Sequence, residues 1–432
     1  MNKRNRLSQL RSKTVSRVVL KLVTAQMALA LVLVAAAAIS TAAQTRPRGR
    51  DLGIPFPGQT GPMNAITDVA GIAVGHVTLI EGEGKIIPGK GPIRTGVTAI
   101  LPRARGNWDP VFAATYNQNG NGDMTGTNWI KESGFMEGPI LLTGTHSVGT
   151  VRDAAVQWQA KNGREFVFTY PIVAETFDFM NDANGEHVKA SHAFDALDRA
   201  KSGRVEEGAV GGGTGMGCNG FKGGIGTSSR VLSAKQGGYT VGVLVQCNYG
   251  GDLRILGAPI RTEITDLGTC TVLESPQSRP WMAGIKPCPA TGLGARMKDG
   301  GSAADHEGRG SIIVIVATDA PLLPHQLERI AKRVSLGMGR LGSFANNGSG
   351  DLFLAFSTAN AGAAKPDGTP ALVMLPNDRI DPLFVATVEA TEEAVVNAML
   401  AAQTMTGADG IRVFGLPGDR VVAALKKYNR MK

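Results

Sequence analysis

The chain has few of the side chains that bind metal ions. It contains four cysteines and six histidines in 432 residues, and they form neither an HExxH pattern nor another recognised ligand spacing. A Walker pattern is also missing, and the glycine-rich stretch 210–217 follows no convincing strand. Phosphate or dinucleotide binding is therefore a weaker interpretation of that stretch than close backbone packing. The sequence predicts no metal ion and no cofactor.

Acidic residues are absent from the first 43 positions. Of the 45 lysine and arginine residues, seven lie in this segment, which leaves 38 basic against 36 acidic residues in the rest of the chain. The formal net charge of +9 therefore comes mainly from the N-terminus. Because the remainder is nearly neutral, we predict no binding of nucleic acid, which needs a basic surface.

The same N-terminal segment has the order of a secretory signal peptide. Its basic residues are followed by an apolar run at 27–39 and small residues at 40–44, which predicts cleavage near Ala43. The alternative is an uncleaved membrane anchor, but the apolar run is shorter than the ~20 residues of a spanning helix. We therefore expect a signal peptide over 1–43 and a periplasmic or secreted bacterial protein without a stable membrane anchor after cleavage.

Short β-type runs alternate with helical patterns along the chain, which predicts a layered α/β domain. The predicted strands cover 95–101, 140–143, 165–170, 241–246 and 312–317. Helical spacing occurs over 187–204 and 323–336. The stretch 261–310 has little periodicity and is predicted to be a long surface insertion.

Ser349 follows a glycine and precedes the apolar run 352–358, which has the pattern of a buried strand. This order places a hydroxyl at the start of a core strand, after a residue whose backbone tolerates strain. It suits a serine that attacks its own upstream peptide bond and is left as a new N-terminus. The alternative is an ordinary turn, because Asn-Gly-Ser-Gly is a turn signal.

Two further segments carry candidate catalytic groups. If 383–390 is a strand, its alternation places Thr387 and Glu389 on one face, with a solvated strand end as the alternative. Asn248 ends an apolar strand and is a candidate donor to an oxyanion, or else part of a turn.

The cysteines allow one disulfide prediction. Cys270 and Cys288 lie in one loop and are the plausible pair in an oxidising compartment. Cys218 and Cys247 adjoin apolar or glycine-rich segments and are predicted to be buried thiols.

Taken together, these residues resemble the self-processing L-aminopeptidase/D-esterase and β-peptidyl aminopeptidases of the DmpA type. The resemblance runs from position 66 onward and includes TDVAGIAVGH at 67–76, VQCN at 245–248 and SGDLFLAFSTAN at 349–360. Further matching blocks lie at 94–100, 171–176, 211–230 and 318–322.

The resemblance implies an αββα sandwich similar to N-terminal-nucleophile hydrolases, with different connectivity. It also implies cleavage between Gly348 and Ser349 into a larger chain, 44–348, and a smaller chain, 349–432, which assemble as a tetramer of processed heterodimers. The resemblance implies that Ser349 is the nucleophile, that Thr387 and Glu389 support it and that Asn248 donates to the oxyanion. It further implies that Glu175 binds the substrate ammonium and that the ring of Phe177 lines the pocket. The sequence departs from the family with Thr at 387, where Ser is usual, and with Phe at 177, where Trp or Tyr is expected.

We therefore predict an aminopeptidase that acts on small peptides or amino-acid amides or esters through an acyl-enzyme. Two alternatives remain from the sequence. One is an acyltransferase of the ornithine acetyltransferase type, which would share the acyl-enzyme step. The other is a non-catalytic periplasmic binding protein.

Overall fold

Two mixed β-sheets form the centre of the computed structural model, which describes residues 47–164, 168–274, 285–295 and 309–432. The predicted signal peptide lies outside the described residues. The strands are β1 Ala73–Glu81, β2 Ile93–Leu101, β3 Val111–Gly120, β4 Phe135–Met136, β5 Ile140–Gly144, β6 Ile172–Thr176, β7 Gly217–Cys218, β8 Phe221–Lys222, β9 Gly224–Val231, β10 Thr240–Asn248, β11 Cys270–Thr271, β12 Arg309–Thr318, β13 Gly348–Ser357, β14 Met405–Thr406 and β15 Ile411–Val413.

Seven α-helices accompany the strands within the described ranges. They are α1 Thr127–Ser133, α2 Val148–Lys161, α3 Ala190–Asp198, α4 Ile260–Glu263, α5 Pro324–Arg340, α6 Asp381–Ala401 and α7 Gly418–Lys427. No helix in these ranges has both the length and the apolar character that a membrane span requires.

The larger sheet has six strands in the order β4-β3-β13-β12-β10-β9. Its central strands β12 and β13 run parallel, whereas β10 is antiparallel to β12. β12 contains the run 312–317, in which only β-branched residues and alanine occur, and both of its faces are buried. Such a continuous apolar run is typical of a strand covered on both sides.

The smaller sheet has four strands in the order β1-β2-β5-β6 and packs face to face with the larger one. The layer between the sheets contains Leu142 from β5, Ile313 from β12 and Leu352 from β13. Helices α5 and α6 cover the outer face of the larger sheet, and α2 and α3 cover that of the smaller one. The layers are therefore helix, sheet, sheet and helix, which confirms the predicted αββα sandwich.

Most of the predicted elements agree with the structure. The runs 95–101, 140–143, 241–246 and 312–317 lie in β2, β5, β10 and β12. The helix predicted over 323–336 agrees with α5, which begins one residue later, after the N-cap Leu323. The helix predicted over 187–204 is shorter, because α3 covers only Ala190–Asp198. Of the strand predicted over 165–170, the first three residues lie outside the described ones, and 168–170 are not in a strand.

The strand predicted over 383–390 is wrong, since these residues belong to helix α6. A proline in its first turn suits a helix N-terminus. Nearly all of α6 is buried, so apolar residues occur on every side and no single helical face is visible in the sequence. Over a few residues, apolar and polar side chains of such a helix can alternate as they would in a strand.

The stretch 261–310 is only partly a surface feature. Within the described residues it contains the buried side chains of Ile264 and Leu267, and β12 already begins at Arg309. The disulfide between Cys270 and Cys288 is confirmed, with sulfur atoms 2.05 Å apart. The prediction of buried thiols was wrong for the other pair, because Cys218 on β7 is bonded to Cys247 on β10.

Candidate active site

Two glycine–serine pairs lie side by side at the start of the parallel strands β12 and β13. In the register of these strands, Gly310 pairs with Ser349 and Ser311 pairs with Gly350. Both serines are buried, at 4% and 3% exposure respectively. This end of the larger sheet therefore holds two hydroxyl groups on neighbouring strands.

The hydroxyl of Ser311 contacts its own upstream peptide bond. Its Oγ donates a hydrogen bond to the carbonyl oxygen of Gly310 at 2.6 Å. A serine Oγ beside the carbonyl group of the preceding residue is the arrangement from which an intramolecular acyl shift starts. The preceding glycine leaves that peptide conformationally permissive.

Asn248 lies on the same face of the sheet as Ser311. The two residues are register partners across β10 and β12, and partners in a ladder project their side chains to the same side. Two residues further along β12, Ile313 lies in the layer between the sheets, so this shared face is the inner one.

Ser349 projects to the opposite face. By the same alternation it shares the outer face with Asp351 and with Phe353, which packs beneath the helices. Its Oγ donates to Asp351 Oδ1 at 2.7 Å. Burial raises the pKa of Asp351, and hydrogen bonds from Ser349 and Asn119 oppose that rise.

The carboxamide of Asn248 is held at both ends. Its Nδ2 donates to the carbonyl oxygen of Phe177 at 2.9 Å, and its Oδ1 accepts the backbone N–H of Gly217 at 2.9 Å. A primary amide has two N–H bonds, and the contacts within the described residues use one of them. The second N–H is left to donate to another group, and the predicted role of Asn248 as an oxyanion donor stays a prediction.

Glu175 is the last residue but one of β6 in the smaller sheet and is 3% exposed. Its Oε1 accepts the backbone N–H of Asp123 at 3.0 Å, and its Oε2 accepts the hydroxyl of Thr145. Burial is the main reason why the pKa of Glu175 is raised, and these two hydrogen bonds lower it. The carboxylate is therefore positioned rigidly and gains from a cationic partner.

A glycine separates Glu175 from the two serine strands. A side chain on Gly122 would place its Cβ 3.2 Å from Glu175 Oε1 and 3.4 Å from the Cα of Gly350. Because Gly350 is the register partner of Ser311, the carboxylate lies near that serine. Phe177, two residues after Glu175, contributes its backbone carbonyl to Asn248. The predicted role of its ring stays a prediction.

Thr387 and Glu389 do not join this group. They lie on α6, where Thr387 is fully buried and its hydroxyl donates to the carbonyl oxygen of Leu383 at 2.8 Å. Glu389 Oε2 lies 3.5 Å from Nε of Arg230. Arg230 pairs with Val241, at the other end of β10 from Asn248. Residues two apart on a helix point in different directions, which removes the shared face that the strand prediction required.

Sequence reasoning missed Ser311 and Asp351. The signal for Ser311 was present, because Gly310 and Ser311 precede the apolar run 312–317 just as Gly348 and Ser349 precede 352–358. This signal is weakened because Gly310 falls at the end of the predicted insertion, 261–310. Among the described residues, no group of three or more His, Cys, Asp or Glu side chains has a metal-binding arrangement.

Comparisons with known proteins agree on one family. The sequence profile of peptidase family S58 matches residues 64–413. A β-peptidyl aminopeptidase from Sphingosinicella microcystinivorans is 50% identical over 394 residues, which cover 90% of this chain and 94% of the relative. A Mycobacterium leprae protein described as an uncharacterized aminopeptidase is 28% identical over 80% of this chain and 92% of its own length.

Solved structures give the same relationship. The β-aminopeptidase of a Burkholderia species is 44% identical, with a TM-score of 0.73 over 88% of this chain and 99% of its own. The L-aminopeptidase D-Ala-esterase/amidase of Ochrobactrum anthropi is 40% identical, with a TM-score of 0.76 over 90% of this chain and all of its own. That enzyme is described as a prototype for the serine aminopeptidases and as a variant of the Ntn hydrolase fold.

Proposed function

Because this chain belongs to peptidase family S58 and is a serine-type aminopeptidase, we propose that it cuts itself between Gly310 and Ser311 and then uses Ser311 as its nucleophile. Membership of this family makes the non-catalytic alternative wrong. The observation that carries the proposal is the contact between Ser311 Oγ and the carbonyl oxygen of Gly310. Ser349, the serine favoured by the sequence, faces away from Asn248, whereas Ser311 faces toward it.

Self-cleavage begins when Ser311 Oγ attacks the carbonyl carbon of Gly310. The C–N bond breaks, the Ser311 nitrogen takes up the proton and an ester links the two residues. Water then hydrolyses the ester, which releases Gly310 as a carboxylate and leaves Ser311 with a free α-amine. After this cleavage the protein consists of a larger chain that ends at Gly310 and a smaller chain that begins at Ser311.

The new α-amine supplies the base for catalysis. An α-amine has a pKa of ~7.7–8.0, so near neutral pH it takes the proton of its own hydroxyl as Oγ attacks the substrate carbonyl. Asn248 Nδ2 donates to the oxyanion, the substrate amine leaves with the proton, and water hydrolyses the acyl-enzyme. Ser349 and Asp351 lie on the strand beside Ser311, and we assign them to orienting its amine.

Glu175 explains why such an enzyme acts at the N-terminus of its substrate. A buried carboxylate near the nucleophile favours a substrate ammonium and leaves a blocked N-terminus without a partner. The substrates are therefore small peptides and amino-acid amides or esters with a free amine. Because the 50% identical relative is a β-peptidyl aminopeptidase, we include N-terminal β-residues among them. Export to the periplasm and assembly as a tetramer of processed heterodimers complete the proposal.

Mass spectrometry of the purified protein tests the cleavage site. We expect a fragment that begins with Ser311, and an intact, inactive chain for Ser311→Ala. Ser349→Ala serves as the matched variant, and it should still be cut before Ser311, more slowly than the wild type. A fragment that begins with Ser349 would return the nucleophile to that residue, and an intact, active wild-type chain would reject self-processing altogether. Transfer of the acyl group to an amine acceptor in preference to water would indicate the acyltransferase alternative.

A further inference from the structure

Lys222 is a fully buried lysine close to the proposed oxyanion donor. Its Nζ donates to the carbonyl oxygens of Met216 at 2.6 Å and Gly223 at 2.9 Å. Burial alone lowers the pKa of Lys222, to about 7, and no carboxylate contributes to it. Among the described residues Lys222 has no acidic partner, and burying such an amino group is costly. The hydrogen bonds that it makes therefore call for an explanation.

One peptide group connects Lys222 to Asn248. The carbonyl oxygen of Met216 accepts from Lys222 Nζ, and the N–H of the same peptide group, on Gly217, donates to Asn248 Oδ1 at 2.9 Å. The Asn248 carboxamide repeats the pattern, with its oxygen accepting and its nitrogen donating. Two amide groups in series thus lead from the lysine to the N–H bond that would meet an oxyanion.

We propose that Lys222 is a positioning residue that fixes and polarises Asn248 through the Met216–Gly217 peptide group. This inference rests on the proposed role of Asn248 as the oxyanion donor. Hydrogen bonds in a chain polarise one another, by ~10–30% per bond, and the effect is largest where water is excluded. A donor that is already oriented and polarised also needs no reorganisation as the charge develops.

Other contacts already hold the backbone around Met216 in place. The disulfide between Cys218 and Cys247 joins the residue after Gly217 to the residue before Asn248. The backbone N–H of Gly223 also donates to the Met216 carbonyl oxygen at 3.0 Å. Since these links hold the loop without the lysine, Lys222 is better explained by the hydrogen bonds that its amino group donates than by support of the loop.

Steady-state kinetics of Lys222→Met tests the proposal, because methionine keeps the length and burial of the side chain and removes its donors. We expect kcat for an amino-acid p-nitroanilide to fall about five- to tenfold with KM unchanged, a part of the ~10²–10³-fold loss expected for Asn248→Ala. In the Asn248→Ala background, Lys222→Met should cause no further loss. Lys235→Met, at an exposed lysine, is the control and should match the wild type.

The outcomes separate this proposal from the one on which it rests. A folded Lys222→Met with wild-type kcat, beside an impaired Asn248→Ala, overturns the role of Lys222 alone, as does an equal loss in both backgrounds. If Asn248→Ala itself keeps full activity, the proposed oxyanion donor is wrong. Should Lys222→Met fail to fold, Lys222→Gln removes the charge but keeps an amide NH2 donor group, and kcat should fall by less than about fivefold. Failure of both variants to fold assigns Lys222 to the fold and overturns the proposal.

Discussion

The buried charges around Arg230 predict that Glu393 stabilises the fold and that Glu389 contributes little. The Glu393 carboxylate is fully buried and accepts hydrogen bonds from Arg230 at 2.8 Å, Arg50 at 3.0 Å and Asn64 at 2.6 Å. The Glu389 side chain is 13% exposed and reaches Arg230 only at 3.5 Å. The two carboxylates lie one helical turn apart on α6, so each variant is a control for the other.

The magnitudes follow from this difference in contacts. Removing one partner of a buried ion pair costs ~3–5 kcal/mol, whereas weak or solvent-accessible pairs contribute ~0–1 kcal/mol. We therefore expect Glu393→Gln to lower the free energy of unfolding by about 3–5 kcal/mol. Glu389→Gln should lower it by about 1 kcal/mol or less.

Urea unfolding followed by circular dichroism measures the stability, with all proteins at one concentration. Cleavage and hydrolysis assays on the folded variants should give rates within about threefold of the wild type, because neither residue lies near Ser311. General acid–base help is typically worth ~10²–10⁴-fold, so a loss of that size in folded Glu389→Gln would restore its predicted catalytic role. Equal stability losses in the two variants would refute the reasoning about burial.

Three further predictions concern the site and its surroundings. Burial raises the pKa of Asp178 to about 7, so the folded protein binds the proton of this carboxyl group more tightly than the unfolded protein does. The stability that this proton contributes is complete below pH ~4 and is lost as the pH rises through about 7. In thermal unfolding, Asp178→Asn should therefore be more stable than the wild type at pH 8, by no more than about 4 kcal/mol, and should lose that advantage at pH 4. Glu175→Gln should raise KM for amino-acid amides by ~10–100-fold, the worth of a hydrogen bond to a charged group, and equal cleavage of N-acetylated substrates by the wild type would contradict its role. Replacing Cys218 and Cys247 together by alanine opens a loop of sequence separation 29 and should cost about 3–4 kcal/mol in urea unfolding, whereas an unchanged midpoint would show that the disulfide is dispensable.

The sequence predicted the layers well because strands such as 241–246 and 312–317 are long apolar runs with few alternative structures. It failed over 383–390, where a helix buried on nearly every side carries no amphipathic signal. The bond between Cys218 and Cys247 was also missed, because the two cysteines are 29 positions apart and only the folded structure brings β7 next to β10. In each case the missing information is tertiary contact and not local preference.

The choice between Ser311 and Ser349 depends on which face of the sheet each serine occupies. Alternation along a strand tells which residues share a face, but it identifies the inner face only where one side is apolar and the other polar. Both β12 and β13 are buried on both sides, so Ile312 and Ile313 are equally apolar although they face different layers. The sequence therefore does not show which of the two serines, Ser311 or Ser349, faces the layer between the sheets. Only the register with β10, which sets Ser311 opposite Asn248, distinguishes the serine that can share a substrate with the proposed oxyanion donor.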